Sequence, residues 1–150
     1  MVLLLISIGM ILLTVGIHTV GAASWLSSLG KSIAKRHQMK QPTRLFRNIL
    51  STSCVLILLH ILEAFLWALL FMVLPAQGGL DSLHEALYFS MVTFTTLGYG
   101  DFTLNADWRL LAGVEGMVGI VVFGMTTALL FAVIQRSWHI AHPKREHAHK

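Results

Sequence analysis

Charge is scarce in this chain. Only 12% of its 150 residues are charged and 55% are hydrophobic, and the mean hydropathy is +0.72. That is too little charge to clothe a soluble domain, so the composition is that of a membrane protein. Its single cysteine, Cys54, has no partner in the chain, which excludes an intrachain disulfide framework and a cysteine zinc site. Cys54 lies inside an apolar run and reads as a small packing residue. The repeated arginines of a voltage sensor are missing. So are a nucleophile–base pair and a phosphate loop, and the chain does not read as an enzyme, as a cofactor binder or as a site for a small-molecule substrate. The net charge of +4 does not point to nucleic acid, because the bases flank apolar runs without aromatic platforms between them.

What is there in quantity is apolar sequence in runs. Residues 1–21 approach the ~20 residues a helix needs to cross the hydrocarbon core. A cleaved signal peptide is the alternative, but no positive residue precedes the run, and Gly21-Ala22-Ala23 is a weak cleavage site. Residues 22–48 read as a basic linker, with Lys31, Lys35, Arg36, Lys40, Arg44 and Arg47 and no acid, and such loops stay in the cytoplasm. A second run, 49–74, ends before Pro75. A third, 110–135, leads to Arg136 and a tail, 137–150, that carries Lys144 and Arg145. With both basic segments inside, the N-terminus lies outside, the C-terminus is cytoplasmic and the chain is a multi-pass protein of the cell (inner) membrane. Trp25, Trp108 and Trp138 sit near run ends as headgroup anchors.

Between the second and third runs, Gln77-Gly78-Gly79 makes a turn, and Ser82-Leu83-His84-Glu85 matches a capping box. The helix it opens, 82–94, is roughly 20 Å long, so it enters a bilayer without crossing it. Then comes Thr95-Thr96-Leu97-Gly98-Tyr99-Gly100-Asp101. Glycines at alternate positions let the backbone take conformations a Cβ forbids, so successive carbonyls can face one way as a queue of oxygen ligands. Four such strands around an axis can replace the water shell of a potassium ion, and the heptad resembles the selectivity filter of potassium channels. Leu97 departs from the valine usual there; its side chain should lie behind the filter.

The resemblance covers about 49–136 and is to the small bacterial two-transmembrane type of pore, here with an extra N-terminal helix. It implies an all-α membrane protein of three transmembrane helices, with a re-entrant pore helix and a selectivity-filter loop. The outer helix would be 49–74, the pore helix 82–94, the filter 95–101 and the inner helix 110–135. The carbonyls of Thr96, Leu97, Gly98, Tyr99 and Gly100 would ligate K+, the only metal implied, with Thr95 and Asp101 in support. One loop per chain cannot surround an ion, so the pore is a homotetramer. The four outer carboxylates Asp81, Glu85, Asp101 and Asp107, against Arg109, would concentrate cations at the mouth. A weakly selective cation channel and a non-conducting accessory subunit are the alternatives.

Gly113, Gly116, Gly119 and Gly124 in the third run fit close helix packing or a gating bend. By resemblance, Gly119 is the hinge candidate and Thr127 the cavity candidate; a hydroxyl bonded to its own helix is the other reading of Thr127. Ionisable groups inside runs face protein or water rather than lipid. Glu115 should lie behind the filter, accepting hydrogen bonds from Ser90, Thr93 or Tyr88 and bracing it. His60, Glu63 and Trp67 share a helix face. They read as polar contacts that hold the pore helix, or as half of a metal site. His139, His142, His147 and His149 read as an exposed tail rather than a metal or pH site.

Overall fold

The computed structural model describes the backbone of residues 1–35, 41–74 and 80–141, and the side chains of 1–31, 45–74 and 80–138. It is built of four helices and one 3-10 turn: α1 (Val2–Lys35), α2 (Gln41–Val73), α3 (Leu83–Phe94), the turn Ala106–Trp108, and α4 (Arg109–Ala141). Val2–Lys31, Leu45–Val73 and Ala106–Trp138 are long and apolar enough to cross a membrane. The chain is therefore an all-α, multi-pass membrane protein. The turn at 77–79, the bases Arg36 and Lys40 and the histidines from His142 onward lie outside the described residues, as do the side chains of Lys35, Arg44 and His139.

Two helices are longer than their apolar runs. α1 continues to Lys35, and α2 begins at Gln41, so most of the expected linker 22–48 is helical. Ala22 to Lys35 holds no proline and one glycine, so nothing in it breaks a helix already started. The extension is also fastened, because Trp25 Nε1 donates to Thr52 Oγ1 of α2 at 3.0 Å. At the far end α4 likewise outruns the expected 110–135.

α3 is 12 residues long, about 18 Å, and cannot cross a bilayer alone. Ser82 is its N-cap: its side chain accepts from Glu85 N at 3.2 Å, while Glu85 Oε2 accepts from Ser82 N at 3.0 Å and Asp81 N at 2.8 Å. The capping box satisfies amides that a helix start leaves free.

α2 is the hub, packed against α1, α3 and α4. Trp67 and Phe71 are its fully buried face, with Phe71 meeting Phe89 of α3 edge-on at 5.3 Å. Trp67 Nε1 donates across to Thr14 Oγ1 of α1 at 3.1 Å, so a buried indole finds its partner in the first helix. Ser90 Oγ of α3 donates to the Ala64 carbonyl of α2 at 2.7 Å. Cys54, expected in the packing, is exposed on the outer face of α2.

α4 closes on the end of α3 through Gly119. A Cβ there would run into the Phe94 carbonyl, so glycine at 119 is what lets the two backbones meet. Gly113 and Gly124 have no neighbour within 4 Å of an added Cβ. Gly119→Ala should therefore destabilise the chain by about 1–3 kcal/mol, as overpacking does, whereas Gly113→Ala should leave it unchanged or slightly firmer. Thermal unfolding of the purified variants reads the difference, and equal midpoints would show that the contact carries no weight.

Candidate functional site

The loop that follows α3 is unusual in its backbone. Thr96, Gly98 and Gly100 have φ of 61°, 55° and 78°, and Thr96 is the one non-glycine at positive φ among the described residues. A β-branched residue in that region is strained, and strain of this kind is held only where surrounding structure imposes it. Alternating the sign of φ along a chain carries successive N–H groups to one side and successive carbonyls to the other.

The loop is hung on α3 by its own amides. Thr96 N donates to Thr93 O at 2.9 Å, and Leu97 N and Gly98 N both reach Val92 O, at 2.9 and 3.2 Å. Thr95 Oγ1 donates to Met91 O at 2.7 Å. The negative end of α3 thus meets the loop through hydrogen bonds. On the exit side, Tyr88 Oη donates to Asp101 Oδ2 at 2.8 Å, and Asp101 Oδ1 accepts from Phe102 N at 3.1 Å. The Asp101 bond, then desolvation, pushes the Tyr88 phenol above its ordinary pKa. Residues 95–101 are all exposed in the single chain, Leu97 at 59% and Tyr99 at 68%. The chain does not itself cover Leu97, which the sequence placed in packing behind the loop. An open cleft of about 560 Å³ separates the loop from α4, lined by Thr93, Thr96, Gly98, Gly100 and Gly116 among others.

Glu115 of α4 is fully buried against α3, where it bonds Ser90 Oγ. Of the three partners its position suggested, Ser90 is the one it meets. Ser90 Oγ has one hydroxyl hydrogen to share between two acceptors, Ala64 O and Glu115 Oε1. Glu115 Oε2 has no hydrogen-bond partner among the described residues. Thr127 Oγ1 donates to Phe123 O at 2.9 Å, four residues back in its own helix, and Gly119 sits on the Phe94 carbonyl.

A second buried polar group lies at mid-span. Glu63 Oε1 is 3.0 Å from His18 Nδ1, and Oε2 is 3.2 Å from His60 Nδ1. The two imidazoles stack at 5.2 Å, and their Nε2 atoms both face Thr126 Oγ1, at 3.3 Å from His18 and 2.9 Å from His60. The polar bonds of His60, Glu63 and Trp67 therefore run to α1 and α4, not to α3, which offers His60 only the Phe94 ring. His18 was legible as the one ionisable side chain within the first apolar run, and Thr14 lies on its face four residues before it.

Three spanning helices, two of them packed on a short fourth that ends in a strained, exposed loop, define a multi-pass helical membrane protein. The model of a protein family described as "Ion channel" matches residues 53–136, more than half of the chain. The chain belongs to this ion-channel family; it is a transport protein and not an enzyme. No curated protein and no solved structure matches it.

The Glu115 bond makes a direct prediction. Glu115→Gln keeps a donor for Ser90 and should leave stability nearly unchanged, while Glu115→Ala removes the partner and opens a cavity, at a cost of about 2 kcal/mol or more. Denaturation midpoints of the two variants in detergent check it, and a Gln variant as damaged as the Ala one contradicts the arrangement.

Proposed function

We propose that the chain forms a homotetrameric, potassium-selective channel that conducts K+ passively across the cell membrane. The observation that carries this reading is the alternation of positive φ at Thr96, Gly98 and Gly100 in a loop that its own chain leaves exposed. A ladder of carbonyls from Thr96 to Gly100 is the ligand set a dehydrated K+ requires, and four copies supply the ring. Exposed Leu97 and Tyr99 and the open cleft beside the loop gain cover when copies surround an axis. In this reading 49–136 is the pore domain, α3 is the re-entrant pore helix and α4 the inner helix. Irregular backbone at membrane depth is tolerated where protein or a water-filled path surrounds it, which the loop then satisfies.

The other residues take roles around that ladder. Thr95 and Asp101 fix its two ends to α3, and Glu115 braces α3 from behind through Ser90. Thr127 lies on α4 below the loop and would face the cavity, and Gly119 would be where α4 bends as the pore opens. The acidic mouth and the basic segments put the N-terminus outside and the tail in the cytoplasm.

In proteoliposomes the wild-type protein should release K+ and retain Na+. Gly98→Ala adds a Cβ where φ is +55°, and should abolish either the flux or its selectivity. A variant with unaltered selectivity would refute the ladder. Topology is tested separately with single cysteines at Ser28, Gln77 and Ala148 in a Cys54→Ser background. A membrane-impermeant reagent applied to intact cells should label only the Gln77 site, and labelling at Ser28 would invert the orientation.

A further inference from the structure

His18, His60, Glu63 and Thr126 bring three helices to one point near the middle of their spans, and none of the four has a place in the conduction reading. Their contacts close a ring: Glu63 Oε1 to His18 Nδ1, His18 Nε2 to Thr126 Oγ1, Thr126 Oγ1 to His60 Nε2, and His60 Nδ1 back to Glu63 Oε2. The four separations, 2.9 to 3.3 Å, are hydrogen-bond distances throughout. His18 and Glu63 are essentially without solvent, and His60 is 9% exposed.

Each of these contacts needs one hydrogen, and the side chains fix how many are present. The Thr126 hydroxyl supplies one, and two neutral imidazoles supply one each. An ionised carboxylate supplies none. Three hydrogens cannot serve four contacts, so with both imidazoles neutral and Glu63 ionised one pair of acceptors faces each other without a donor, and a unit negative charge is left buried. A single added proton removes both faults. Whether it rests on an imidazole or on the carboxyl, the count is the same and the cluster becomes neutral.

We infer that this ring is a proton-binding site, which holds one proton per chain and by doing so fastens α1 and α4 to α2. With the proton in place, every contact has its donor. Without it, the ring opens at Thr126, and α1 loses its buried polar tie to α4. The surroundings do not supply another charge. The ring meets Phe94 from α3 and Phe123 from α4, and α1 and α2 contribute His18, His60 and Glu63 themselves. The next titratable side chains along these helices are exposed Cys54 on α2, Lys31 on α1, Tyr88 on α3, bonded to Asp101, and on α4 exposed Arg136 and Glu115, the latter bonded to Ser90, roughly 15 and 16 Å from Thr126 along the axis. A zinc-like ion on two neutral imidazoles and one carboxylate would leave net positive charge at this depth.

The sign of the pH effect follows from the count. Above the range in which free histidine titrates, the unfolded chain keeps none of the added proton and the native chain keeps one, so stability falls as pH rises. The limiting slope is about tenfold in the unfolding equilibrium per pH unit. Glu63→Gln presents a carbonyl to one imidazole and an N–H to the other, so its ring closes with neutral groups and no added proton.

The test is the thermal midpoint of the full chain in lipid nanodiscs between about pH 6 and 9, a range that spans histidine titration. The wild type should lose stability toward the alkaline end. Glu63→Gln should fold with a midpoint near the wild type's neutral value and lack that alkaline loss. An alkaline loss in Glu63→Gln equal to that of the wild type would overturn the proposal. So would a wild-type midpoint that drops on adding a chelator, which would make the ring a metal centre. Because the readout is stability, it stands or falls independently of which ion the pore passes.

Discussion

Hydrocarbon offers a backbone no hydrogen-bond partner, and that constraint arranges everything in this chain. Three helices meet it by satisfying their own amides. The segment between α2 and α4 cannot, since α3 is too short to cross and the loop after it is not helical. Its amides are instead returned to α3, two of them to the single carbonyl of Val92, and its far end is tied to Tyr88 through Asp101. α2 and α4 then hold α3 from either side, through Ala64 with Ser90, Glu115 with Ser90, and Gly119 with Phe94. The strained φ at Thr96 persists because the loop is fixed at both ends.

Local chemistry was readable in the residues, and long-range pairing was so only for Glu115 with Ser90. The capping box at Ser82 and Glu85 acts within one turn, so its sequence and its geometry coincide. The glycines at 98 and 100 permit a backbone that a Cβ forbids, and both have positive φ. His18 and Glu63 are 45 residues apart, and nothing on either helix names the other as partner. The helical continuation of α1 was hidden for a different reason: Lys31 and its basic neighbours marked a side of the membrane, which says nothing about whether the backbone there stays coiled.

The first helix lies before the region matched by the ion-channel family, residues 53–136. Its attachment is polar as well as apolar. Trp25 with Thr52, Trp67 with Thr14, and the ring at Glu63 are spaced along the α1–α2 contact, and the ring also reaches α4. In hydrocarbon such bonds do not compete with water, so a few of them set the register of a helix that apolar packing alone would let slide. α1 is thereby joined both to the hub and to the helix that touches the end of α3.

The central claim is that the carbonyls of Thr96 to Gly100, in four copies, pass K+ and refuse Na+. Its most direct test is single-channel recording of the wild-type protein in a planar bilayer with potassium chloride on one side and sodium chloride on the other. The account predicts discrete openings whose current reverses only at a strong potential that opposes K+ movement down its gradient. Openings that reverse near zero would show a pore indifferent to the two ions and would contradict it.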